Sequence, residues 1–149
     1  MVKKALIVAL CLMWCSTYSY PIKMVYTVYN KLVKDNNLLN APRLHIVRSS
    51  DANAWSGEDG ISITTAMLRT VRNQDELARV LGHELGHHYL KHRNSSYAHE
   101  YAADMQAAVY MRNAHYNVCR GAALLKRRNN EGDADTHPAD YLRWLRFGC

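Results

Sequence analysis

No cysteine falls between Cys15 and Cys119, no repeat or low-complexity tract interrupts the chain, and no apolar run is long enough to span a bilayer in the ordinary way. Each absence narrows the reading. The longest apolar stretch, Ala5 to Cys15, falls well short of the roughly 20 residues that a membrane helix needs, so no internal membrane span is expected. No Lys/Arg stripe interleaved with aromatics is present, so nucleic acid is not expected as a partner. With 149 residues the chain is enough for one domain and not two.

The first residues stand apart. Lys3 and Lys4 precede the apolar run, and Ser16, Thr17 and Ser19 follow it. That is the layout of a secretory signal peptide over residues 1–19, leaving a domain over 20–149 that is exported to a periplasm or secreted. An uncleaved anchor or a buried terminal helix are the alternatives. A lipid anchor on Cys15 fits less well, because bulky Trp14 stands where a small residue is expected. Without Lys3 and Lys4 the formal charge falls from +6 to +4, a mildly basic domain. Lys126-Arg127-Arg128 reads as a solvated helix end. Cys119 and Cys149 then remain, and two cysteines in an exported chain suggest one disulfide; two unrelated free thiols are the alternative.

Periodicity predicts mostly helices. Ile22, Val25, Tyr26, Tyr29, Leu32 and Val33 follow helical spacing behind Pro21. Leu44–Val47 reads as a strand. Asn53–Ser56 and Ile61–Thr64 read as a hairpin around Gly57-Glu58-Asp59-Gly60. Helices are expected over about 73–91, 96–112, 117–128 and 138–147, with one helical turn over 65–70. The expected class is α+β, mainly helical, with a small sheet ahead of the 73–91 helix.

That helix carries the chemistry. Asn73 is placed to cap it, with Glu76 three residues on. Leu77, Val80, Leu81 and Leu85 recur at helical spacing, and His83-Glu84-Leu85-Gly86-His87 reads HExxH. His83 and His87 lie one turn apart, roughly 6 Å along the axis and about 40° around it. Two imidazoles so placed can share one metal ion of the kind zinc typifies. Glu84 can then reach a water on the metal without being a ligand. His88 and His92 form another pair at the same spacing, but Tyr89, not a carboxylate, follows His88. A zinc site needs a third protein ligand. A turn at Arg93–Ser96 makes the two flanking helices an antiparallel hairpin, which sets Glu100 beside His87, with Asp104 one turn further on the same face. Asp104 can accept a hydrogen bond from the outer nitrogen of a ligand histidine. The alternatives are a solvated acidic face for Glu100 and Asp104, and His99 as ligand, although His99 is rotated off that face.

These motifs resemble the HtpX-like and CAAX-prenyl-protease family of zinc metallopeptidases in a short form without internal membrane spans. The resemblance runs from about Asn53 to Arg143. It rests on Asn53-Ala54-Trp55, Ile61-Ser62-Ile63-Thr64-Thr65, Asp75-Glu76-Leu77-Ala78, HExxH with Lys91-His92 behind it, Glu100-Tyr101-Ala102-Ala103-Asp104, Thr136-His137-Pro138 and Arg143. It implies a minimal gluzincin domain with one zinc ion (Zn2+) per chain. The activity implied is that of a zinc metalloendopeptidase, with Glu84 as general base for a zinc-activated water. Its substrate, a peptide or unfolded protein, would lie extended against the strand at Asn53, Ala54 and Trp55. His137 and Arg143 match the family's positions after the third helix, where a donor could stabilise the charge developing on the peptide carbonyl. For His137 two other readings stand: a cap on the last helix, with Arg143 paired to Asp133 or Asp135 at the surface, or a ligand that blocks the zinc. A peptide deformylase also carries HExxH, but its third ligand is an upstream cysteine, and none lies between Cys15 and His83. A catalytically silent zinc-binding module, chaperone-like or inhibitory, is the remaining alternative. The residues carry no expectation of oligomeric state.

Overall fold

A computed structural model describes residues 20–133 and 136–149. The expected signal peptide over 1–19 lies outside the described residues, as does Asp135.

Helix α1 spans Ile22–Asp35 and turns Val25, Val28, Tyr29 and Leu32 inward. Ile22 and Tyr26, at the edge of that spacing, stay exposed. Strands β1 (Leu44–Val47), β2 (Ala54–Gly57) and β3 (Gly60–Thr64) form one sheet in the order β1-β3-β2. β1 runs parallel to β3, with Leu44 opposite Ile61. β2 and β3 form an antiparallel hairpin in which Ala54 faces Ile63 and Gly57 faces Gly60. The turn is therefore Glu58-Asp59 alone, with both glycines inside the ladder. Gly60 has φ +133°, and a Cβ there would lie 2.2 Å from the carbonyl oxygen of Arg43, so only glycine fits. Because β3 is central, β2 is left as an edge strand.

Helix α2 (Thr65–Thr70) starts directly from the sheet, its first turn capped by the Thr64 hydroxyl on the Met67 amide. It leads into α3 (Gln74–Tyr89), α4 (Tyr97–Asn113), α5 (Val118–Arg128) and α6 (Asp140–Leu145). The class is α+β and mainly helical, as the residue pattern predicts.

α3 is the centre of the molecule. Every residue from Asp75 to Gly86 is buried, and α1, α4, α5, β2 and β3 all pack on it. Leu77, Leu81 and Leu85 are fully enclosed, and each such burial stabilises the fold by about 1.5–3 kcal/mol. Its polar side chains are inside for the same reason: the helix has no solvent face along this stretch.

α6 begins at Asp140 and not at Pro138. The Asp140 amide donates to the carbonyl of Asn130, and the Asp133 amide to that of His137. These bonds hold the approach to the helix against the start of the preceding loop, and Ala139 keeps an extended ψ of 139°. A disulfide joins Cys119 near the start of α5 to Cys149 at the chain end, with Cα atoms 5.4 Å apart. Among the described residues no helix is long and apolar enough to cross a membrane.

Candidate metal centre

The start of α3 is fixed from two directions. Asn73 Oδ1 accepts the Glu76 amide at 2.9 Å. Glu76 reaches back one residue beyond the cap, accepting the Arg72 amide at 2.7 Å. The same buried carboxylate takes both arms of Arg127, at 2.7 and 2.6 Å. The basic run at the end of α5 is thus not simply a solvated helix end. Arg127 ties α5 to the root of α3, Lys126 lies over the Trp144 ring, and Arg128 lines the cleft described below.

Two turns along α3, His83 and His87 bring their Nε2 atoms to 3.0 Å from each other. Glu100, on the first turn of α4, sets one carboxylate oxygen 3.3 Å from His83 Nε2 and the other 3.3 Å from His87 Nε2. These three residues form a cluster that could hold a metal ion. Ligands at 2.0–2.1 Å in a tetrahedron stand about 3.3–3.4 Å from one another; the two carboxylate–imidazole distances match that spacing, and the two imidazole nitrogens stand closer, at 3.0 Å. The hydrogen bonds of the outer nitrogens agree. His83 Nδ1 is 2.9 Å from Asp104 Oδ1, and a carboxylate can only accept there, so the Nε2 lone pair of neutral His83 is left for the cluster. His87 Nδ1 is 3.0 Å from His92 Nδ1. With His87 as donor and His92 as acceptor, its Nε2 is free in the same way. Burial, then the neighbouring His99 and His87, push the His92 pKa down, which favours the neutral acceptor form.

Close helix contact makes this possible. A Cβ at Gly86 would lie 3.0 Å from the Ala103 carbonyl oxygen, and one at Gly82 3.4 Å from the Ala107 Cα. Two glycines on α3 therefore face two alanines on α4. The approach brings Glu100 alongside His87 and Asp104 alongside His83. Ser96 caps α4 through its hydroxyl on the His99 amide. His99 itself stacks on His92, with centroids 4.0 Å apart, and stays outside the cluster.

Behind the cluster lies a charged layer. Asp104 accepts from Arg79 Nη2 at 2.8 Å, and from Arg143 Nε and Nη2 at 2.7 and 2.8 Å. Burial alone would raise the Asp104 carboxyl, but Arg79, His83 and Arg143 hold it well below its ordinary range. Arg143 is therefore buried and paired inward, not at the surface with Asp133. Its Nη2 is 3.3 Å from both ring nitrogens of His83. Its Nη1 is 3.5 Å from Glu100. Glu100 is also lowered: burial opposes this, and the His83 and His87 hydrogen bonds outweigh it. Glu84 behaves in the opposite way. Burial raises its pKa against the pull of His83 and His87, and its carboxylate makes no hydrogen bond to a described residue.

A cleft of about 340 Å³ opens over these groups. One wall is β2 and its approach, where Asn53, Ala54 and Trp55 all line the space and Trp55 is 40% exposed. Arg143 and His137 line another side. His137 does not cap α6, which has no side-chain cap. Its Nδ1 lies 3.0 Å from Asp133 and 2.8 Å from the Thr136 hydroxyl, and it is not among the clustered ligands. Arg79, one turn before His83, escapes the motif reading, and His92, beyond the end of α3, enters the resemblance only as part of Lys91-His92, with no role assigned to it. The helical spacing from Arg79 to His83 is a usable signal for the first. The contact of His92 with His87 is not legible locally, because it depends on the chain turning at Lys91, which has φ 57°.

The model of peptidase family M48 matches residues 23–99. The chain is also 32% identical over 120 residues to "Metalloprotease YcaL" of Escherichia coli (strain K12), an alignment covering 72% of this chain and 47% of that protein. The chain thus spans about half the length of this relative. The family match stops one residue before Glu100, so Glu100 enters the cluster on geometry. With more than half of its residues under that match, HExxH included, the chain belongs to peptidase family M48.

Proposed function

We propose that this chain is a zinc-dependent endopeptidase. The observation that carries the reading is the convergence of His83, His87 and Glu100 within metal-ligand reach of one another, with a buried, unbonded Glu84 beside them at the floor of an open cleft. Two imidazoles and one carboxylate with a fourth side open to the cleft is the donor set of a catalytic zinc site. Zinc held there would supply Lewis acidity, lowering the pKa of a water and polarising a peptide carbonyl.

The chain's own groups do the rest. Glu84 takes a proton at its carboxylate during attack on the carbonyl and delivers it to the leaving amine nitrogen. Its burial suits both halves of that task, since a raised pKa makes the carboxylate a better base and still lets it give the proton up. Asp104 and His92 hold the ligand histidines in the tautomer that presents Nε2. The outer edge of β2 at Asn53, Ala54 and Trp55 can pair with the main chain of an extended peptide, which places few demands on its sequence. Arg143 and His137 are proposed as donors to the oxygen that gains charge. The Cys119–Cys149 bridge supports an oxidising compartment as the place of action.

Casein hydrolysis tests the reading. A chelator should abolish it, and one equivalent of zinc should restore it. Zinc bound stoichiometrically with no hydrolysis of casein or of unfolded protein would favour the silent binding module instead.

A further inference from the structure

Arg79 has no role in the chemistry proposed above beyond its bond to Asp104, yet it lines the cleft. It is 3% exposed, and its Nε is the one buried side-chain polar atom among the described residues without a hydrogen-bond partner. A buried guanidinium donor left unmatched is costly and calls for an acceptor that the described residues do not supply. Arg128 lines the same cleft. Among the described residues its one ion-pair partner is Asp140, at 3.8 Å, too long for a hydrogen bond, so no described residue takes up its donors. Arg79 feels the charges of Arg143, Asp140 and Arg128 as well as Asp104, which places these groups in one electrostatic cluster.

The charges in this corner do not cancel. Arg79, Arg128 and Arg143 face two carboxylates, Asp104 and Asp140. Glu100, 3.5 Å from Arg143 Nη1, and Glu84 would be matched by the two charges of a divalent ion held in the cluster. One positive charge is left over, at the inner wall of a cleft shaped for a peptide. Guanidinium groups bind carboxylates by paired, charge-assisted hydrogen bonds.

We propose that Arg79 and Arg128 form a subsite that takes a carboxylate of the substrate peptide, next to the metal cluster. The proposal rests on the peptidase reading for the identity of the ligand, but not for the presence of the subsite. The carboxylate has two possible sources, an acidic side chain near the scissile bond or the free C-terminus of the substrate. The first makes the enzyme selective for acidic sequences. The second directs it to chain ends.

Binding separates these sources without turnover. The disulfide-intact, zinc-loaded Glu84→Gln protein keeps peptides uncut. Fluorescently labelled nine-residue peptides are compared in twins: Glu against Gln at each position in turn, and free acid against amide at the C-terminus. The expected result is that one Glu position, or the free acid, binds tighter than its neutral twin by about tenfold or more. Adding Arg128→Gln should reduce that ratio to about threefold or less while leaving the neutral twin within about twofold. Arg79→Lys retains the charge at Asp104 but removes the Nε donor, and should lower the ratio in the same way. Its thermal midpoint shows whether the fold is intact. Twins that bind alike, or not at all, overturn the subsite, as does a preference that survives both substitutions; a water on Arg79 Nε gives the first of these results. Turnover of the same peptides by the wild-type chain is read separately. Preference without turnover sinks the peptidase reading and keeps the subsite, and turnover without preference does the reverse.

Discussion

His92 sets its Nδ1 3.0 Å from Nδ1 of His87, so a residue outside the HExxH motif holds one of the motif's ligands in position. With His92 as acceptor, the His87 ring is oriented and its Nε2 lone pair is committed to the cluster. Removing the partner of a ligand histidine typically costs about 10–100-fold in metal affinity. His92→Phe should therefore bind zinc weaker by that factor while its thermal unfolding in the metal-free form stays close to wild type. Zinc titration against a competing chelator measures this, and unchanged affinity would remove His92 from the account.

Asp104 joins three cationic or protonatable partners and gives a prediction with a sign. Its folded pKa lies well below the ordinary value; the unfolded value is about 3.9. A depressed folded pKa stabilises the fold above the unfolded value, and that contribution is lost as pH falls below about 4 towards the folded pKa. Asp104→Asn should be less stable than wild type by about 3–5 kcal/mol near neutrality, because two buried arginines lose their counter-charge. The gap should narrow below about pH 4. Urea unfolding at a series of pH values reads it; a gap that stays constant across that range would contradict the assignment.

The backbone plan is legible in the residues because local signals agree with one another. Apolar spacing marks α1 and α3, Asn73 and Ser96 mark helix starts, and the glycines at 57 and 60 mark the hairpin. Glu100 is also legible, since a short antiparallel link sets residues equidistant from the turn side by side. What is not legible depends on contacts across the fold. The surface alternative for Arg143, pairing with Asp133 or Asp135, does not hold, because the side chain lies buried against Asp104, 39 residues earlier in the chain. Arg127 reads as a solvated helix end, but Glu76 draws it inward. The start of α6 shifts to Asp140 because the Asn130 carbonyl takes its amide, a pairing that no helical periodicity encodes.

Gly86 tests the helix contact that assembles the cluster. Its Cβ in an alanine variant would meet the Ala103 carbonyl oxygen at 3.0 Å and the Ala103 Cα at 3.1 Å, both backbone atoms that can yield only if α4 moves. Gly86→Ala should lose about 1–3 kcal/mol of stability and bind zinc more weakly, because Glu100 rides on α4. Denaturant unfolding and zinc titration on the same preparation check both; loss of neither would show that the two helices have slack at this point.

His137 stands at the cleft with its Nδ1 held by Asp133 and Thr136. If it donates to the oxygen that gains charge, His137→Phe should keep its zinc and slow peptide hydrolysis by about tenfold or more in kcat. Equal or higher activity would mean that it blocks the metal, or that it only braces its own loop.

Glu84 carries the central claim. Glu84→Gln keeps the shape of the side chain and removes the base, and Glu84 makes no bond that the fold depends on. The variant should bind one zinc per chain with wild-type affinity, unfold at the wild-type temperature, and hydrolyse peptide slower by about a hundredfold or more. Zinc content, melting point and peptide turnover measured on one preparation decide it: full zinc with hydrolysis lost is the result expected here, and full zinc with hydrolysis at the wild-type rate would contradict the account.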